Sequence, residues 1–170
     1  RAMTEAPDGG VVVALADFEF DPDEAGLALY RFSRDGALLW GPIEFGTAAL
    51  RTTPVDWYWE GDELVIVWTE IENFTHYVTH TQKLANNGQK LWGEAGNVVW
   101  EREGKKLRAE VEKPANAAAR LVVVSGRSIM QPESLFVGEL NSAGQLAQAE
   151  FVSGGLTYDT YDPRSAVMGD

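Results

Sequence analysis

The stretch DGALLWG occupies residues 35–41, and NGQKLWG occupies residues 87–93. A turn dipeptide, three residues, Trp and Gly recur in the same order, and such a repeat decides the fold before any local reading does. Working outward, the turn glycines Gly36 and Gly88 align with a third, Gly144. Four residues before each stands an apolar residue, Phe32, Leu84 and Leu140, and two residues after each stands Leu38, Lys90 or Leu146. Four residues after come Trp40, Trp92 and, in the third copy, Gln148. Upstream of each turn begins a run of strand formers: Val11-Val12-Val13, then Leu64-Val65-Ile66-Val67-Trp68, then Leu121-Val122-Val123-Val124. The chain therefore divides into units of about 52 to 56 residues. These fall at 1–51, 52–106 and 107–161, with the start of a further unit at 162–170.

The physics of the unit is all β. Its apolar runs are too short for helices and rich in Val and Ile, as befits strands covered on both faces. Alternation follows in LALYRFS (27–33) and HYVTHTQKL (76–84). Asp-Gly or Asn-Gly then supplies the positive φ of a two-residue hairpin turn. Each unit reads as a four-stranded antiparallel meander: apolar strand, loop, second strand, hairpin and third strand. A further strand, TTPVDWYW (52–59) or LRAEVE (107–112), leads into the next apolar run. Four such strands make one propeller-like blade, and an indole just past the hairpin has the bulk to fill the space between neighbouring twisted sheets. Three blades fall short of the four to eight that close a ring. The expectation is a piece of a longer array, with self-association into a ring as the alternative.

Composition narrows the partners. The 170 residues are 45% hydrophobic and 24% charged, a globular balance, and 14 basic against 26 acidic residues leave a net charge of −12. That acidic field repels nucleic acid and anionic membrane. The densest positive stretch, Arg102, Lys105, Lys106 and Arg108, is interrupted by Glu101, Glu103 and Glu110. No 18-residue apolar run signals a membrane-spanning helix, and RAMTEAPDGG lacks the apolar core of a signal peptide. With no cysteine, disulfide and thiol chemistry are excluded, and a zinc site would have to lean on carboxylates.

The segment TQKLANNGQKLWGEAGNVVW (81–100) resembles the Trp-Gly-containing β-propeller repeats of secreted and cell-surface bacterial proteins, in which Gln-x-Leu, a turn glycine and Trp-Gly recur behind a strand opened by Asp-Gly-Gly. Asp8-Gly9-Gly10 before Val11 matches that opening, and Asp35-Gly36 with Trp40-Gly41 matches the hairpin. The resemblance is strong in the second unit, fair in the first and weak in the third. It implies a non-catalytic extracellular or cell-surface scaffold, an adhesion or interaction module whose blade loops meet a protein or glycan partner. It transfers no catalytic residue. Sialidase-type Asp boxes run Ser-x-Asp-x-Gly-x-x-Trp, and SRDGALLW (33–40) misses that spacing by one.

Some residues outside the repeat motif are candidates for chemistry. In DWYWE (56–60), Trp57 and Trp59 share one face of a strand and Tyr58 the other, so the two indoles can form a stacking platform for a sugar. Asp56 and Glu60 would be its polar partners, which makes a carbohydrate-binding module the first alternative. A fragment of a propeller glycoside hydrolase is the second, although paired catalytic carboxylates cannot be assigned from sequence neighbours. In DFEFDPDEAG (17–26), Asp17, Asp21 and Asp23 offer the hard oxygens calcium prefers, but a calcium loop needs a fuller ligand series, so a solvated acidic loop is the simpler reading. No other cofactor is implied. His76 and His80 sit four residues apart, about 13 Å along a strand, too far to share a metal. His80 aligns with Ala28 and Phe136 and reads as packed.

Overall fold

The computed structural model describes residues 3–16, 26–45, 51–52, 55–72, 76–103, 106–113, 119–126 and 133–156. Among these the chain is all β, with no helix. The first sheet is a meander of β1 (Met3–Glu5), β2 (Val11–Ala16), β3 (Leu27–Phe32) and β4 (Leu38–Phe45). The second holds β6 (Asp56–Glu60), β7 (Glu63–Glu72), β8 (His76–Leu84) and β9 (Asn97–Glu103), and the two-residue β5 (Arg51–Thr52) continues the line of β6 along β7. The third is β10 (Lys106–Glu112), β11 (Ala119–Gly126), β12 (Glu133–Leu140) and β13 (Leu146–Leu156). Neighbouring strands are antiparallel throughout.

The hairpins differ from the two-residue turn that the dipeptides predict. In the first, Ser33 N donates to Ala37 O at 2.8 Å and Gly36 N donates to Ser33 O at 3.0 Å. The same pair of bonds closes Ala85–Gln89, Asn141–Gln145 and the Ala6–Gly10 turn between β1 and β2. Each is thus a three-residue loop, with the positive φ on its last residue: Gly9, Gly36, Gly88 and Gly144 lie between +74° and +87°. The Asp or Asn before the glycine has a separate job. Asp8 Oδ1 accepts Gly10 N and Asn87 Oδ1 accepts Gln89 N, both at 3.0 Å, so the side chain mimics a turn of backbone.

The sheets stack first on second on third. One core joins Val12, Ala14, Leu27, Leu29 and Phe45 of the first sheet to Trp57, Leu64, Ile66, Trp68 and Leu84 of the second. A second core joins Val67 and Val99 to Ala109, Val111, Ala119, Leu121 and Leu140 of the third. The middle strand β7 is therefore covered on both faces, and Leu64 through Trp68 are all buried, as their unbroken apolar run requires. At about 1.5–3 kcal/mol for each fully buried aliphatic side chain, the two cores supply the main cohesion. The equally apolar run of β2 fares differently. Val12 is buried while Val11 and Val13 are only half-buried, because among the described residues the first sheet is covered on one face alone.

Candidate functional site

The repeated Trp and Gly meet across the sheets. A side chain placed on Gly88 would come within 3.1 Å of the Trp40 ring and 2.8 Å of Ile43 Cδ1, so the first sheet's indole lies on the second sheet's hairpin glycine. The Trp92 ring lies on Gly144 in the same way, second sheet on third. Trp40 is further fixed where its Nε1 donates to Asn86 O at 3.0 Å. Gly88 and Gly144 thus serve two ends: each takes the positive φ of its loop, and its missing Cβ leaves a seat for the preceding sheet's indole.

Different local backbones deliver these two indoles. Trp40 belongs to β4, opposite Arg31. Trp92 precedes β9, in an irregular stretch where Leu91 N donates to Lys83 O at 2.8 Å and one side chain satisfies the backbone of the next two residues. Gln82, fully buried, accepts from Lys83 N at 2.9 Å and from Trp92 N at 3.0 Å through Oε1, and donates Nε2 to Gly93 O at 2.6 Å. This is the glutamine of the Gln-x-Leu pattern, and from β8 it pins the backbone of the indole in the connection to β9.

Buried polar groups add ties at the same joints. Arg31, 2% exposed, donates Nη1 to Asn86 O at 2.9 Å and also reaches Asn86 Oδ1, while its Nη2 pairs with Asp8 at 2.9 Å. The bond from Gly10 N and the Arg31 guanidinium hold the Asp8 carboxyl below the usual carboxylate range. Between the second and third sheets, Thr81 Oγ1 donates to Gly144 O at 2.6 Å and Asn97 Nδ2 to Ala143 O at 2.7 Å. Gln82 stands in the sequence as part of the Gln-x-Leu pattern, whereas Arg31, Asn86 and Thr81 carry no assigned role there. Their signal, a polar residue at a phase otherwise packed, becomes legible only once the facing sheet is known.

The residues singled out for sugar binding are positioned by packing. Trp57 is 3% exposed within the first core, and Trp59 packs partly buried against it, under the Arg31 guanidinium at 5.6 Å from the ring. The indoles do share one face, with Tyr58 packed in the second core on the other, but that face turns inward. The expected exposed platform is replaced by core, because the first sheet covers it. Asp56, also buried, accepts Val111 N at 2.9 Å and so ties β6 to β10. Glu60 is exposed and pairs with Lys83 at 3.0 Å and Lys113 at 3.8 Å. Asp17, Asp21 and Asp23 lie outside the described residues. Among those described, no three His, Asp or Glu side chains gather as metal ligands.

His76 bonds to Glu101 at 2.9 Å, on the exposed side of β9. His80 stacks on Trp68 with ring centroids 5.1 Å apart and planes 12° from parallel, and its Nε2 lies 3.7 Å from Glu70 Oε2. Trp68 Nε1 donates to the other oxygen of the buried Glu70 at 2.9 Å. The cluster is a packed aromatic layer with its polar edges directed at one carboxylate. No helix among the described residues is long and apolar enough to cross a membrane. Comparisons with protein-family models, with curated proteins and with solved structures find no match to this chain.

Proposed function

We propose that the chain is a non-catalytic scaffold of propeller-like blades, an interaction module of a secreted or cell-surface bacterial protein that presents its blade loops to a protein partner. The observation that carries this reading is the twice-repeated joint, Trp40 on Gly88 and Trp92 on Gly144. The most distinctive residues of the sequence go into holding sheets together, and so do Asp56 and Trp57, the leading candidates for binding. A repeat whose recurring grammar is mechanical leaves recognition to the loops. The resemblance of residues 81–100 to bacterial surface repeats supports the location.

The immobilised chain should be challenged with a panel of extracellular-matrix proteins and, separately, with a glycan panel, read by interferometry. Saturable binding to a protein, with no glycan response and no change in tryptophan emission on sugar titration, is the expected result. Glycan binding that shifts tryptophan emission would instead favour a carbohydrate module, and turnover of aryl glycosides a hydrolase.

A further inference from the structure

The three sheets are equivalent, and their equivalent faces are not equally covered. Strand pairing sets the correspondence: Val11 opposite Phe32 in the first sheet matches Leu64 opposite Leu84 in the second and Ala119 opposite Leu140 in the third. Continuing along the ladders, Val13 matches Ile66 and Leu121, and Met3 matches Trp57 and Val111. In the second and third sheets all these positions are buried, each under the sheet that precedes it in sequence. In the first sheet no described residue is packed over them. Met3 is 63% exposed, Leu15 and Leu38 are each 54% exposed, and Val11, Val13 and Phe32 are half-buried. The seat is open as well: a side chain at Gly36 would meet nothing within 4 Å, whereas those at Gly88 and Gly144 would meet an indole.

We propose that this outer face is a docking surface for one further antiparallel sheet of the same grammar, whose fourth strand brings an indole onto Gly36. The two internal joints define the chemistry of the occupant: an apolar sheet face with a Trp four residues beyond its own turn glycine. A second copy of this chain does not meet that description. Among the described residues the sheet it offers in the same sense is its third, which carries Gln148 where the others carry Trp, and a net charge of −12 sets copies against each other. The occupant is therefore a Trp-bearing blade from other polypeptide sequence. The inference rests on the reading of the chain as stacked blades, but its readout is assembly mass, so failure to bind any surface ligand would leave it standing.

The test supplies the missing indole. A donor chain carrying Gln148→Trp, with its own outer face blocked by Leu15→Glu, is mixed with a wild-type acceptor at about 0.15 M salt and followed by sedimentation. The expected product is a one-to-one complex, at least tenfold tighter than with an acceptor carrying Leu15→Glu and Leu38→Glu. No complex, or an equally tight one with the blocked acceptor, overturns the proposal, and so does wild-type self-association through this face that matches the donor's. Should the donor fail to fold, free indole titrated into the wild-type chain provides a second measurement. Amide shifts gathered around Gly36, Phe32 and Leu38 are expected, and shifts elsewhere or none at all count against the seat.

Discussion

Gly36 and Gly88 occupy the same place in the same loop, with φ of 87° and 86°, yet only Gly88 lies beneath an indole. Replacing either by Ala incurs the left-handed penalty of about 1–2 kcal/mol. Gly88→Ala must also displace Trp40 and Ile43, an overpacking cost of about 1–3 kcal/mol more. Urea unfolding should therefore rank Gly88→Ala well below Gly36→Ala, and equal losses would mean that the seat contributes nothing. Tyr58 provides a second test at this scale. Burial, with the nearby Glu60 charge, pushes its phenol from 10.0 up to about 12. The folded chain then holds this proton more tightly than the unfolded one, so its contribution is intact below about pH 10 and is lost as pH rises toward 12. Tyr58→Phe should lose less stability than wild type between about pH 9 and pH 11.5, measured by urea unfolding at each pH.

At the level of strands, burial is decided by neighbours. The runs Val11-Val12-Val13 and Leu64-Val65-Ile66-Val67-Trp68 announce the same kind of strand, but β7 lies between two sheets and β2 beside one. Alternation correctly placed Trp57 and Trp59 on one face of β6 and Tyr58 on the other. It carried no information on whether that face met water or a facing sheet, which is why a core pair read as a binding platform. Asp56 shows how the strands of different sheets are coupled. Its carboxylate satisfies the Val111 amide of β10, and an orphaned buried N–H costs about 1–3 kcal/mol. Asp56→Ala should lose that amount in chemical denaturation, while Asp56→Asn, which keeps a carbonyl acceptor, should recover much of it. Identical losses would place the effect elsewhere than in this bond.

For the whole molecule, the net charge of −12 is spread over three stacked sheets and works against compactness. Raising NaCl from about 0.02 to 0.5 M screens that repulsion and should raise the melting temperature by a few degrees, because the joints themselves are mostly apolar or buried. A salt-independent or falling melting temperature would show that the surface ion pairs, such as Lys83 with Glu60 and Glu63, outweigh the repulsion. Burial opposes the charge on Lys83, but its hydrogen bonds to Glu63 and Glu60 prevail and raise its proton affinity.

Period, strand class, hairpin positions and the matching of Trp40 with Trp92 are properties of the sequence by itself, because turn glycines, alternation and bulky indoles act locally and repeat at a fixed phase. Which glycine each indole covers, why Arg31 is tied to Asn86, and which of three similar sheet faces stays open among the described residues were decided only by the tertiary structure. Those outcomes depend on what lies opposite a residue across a sheet interface, and partners some fifty residues apart leave no mark on local pattern.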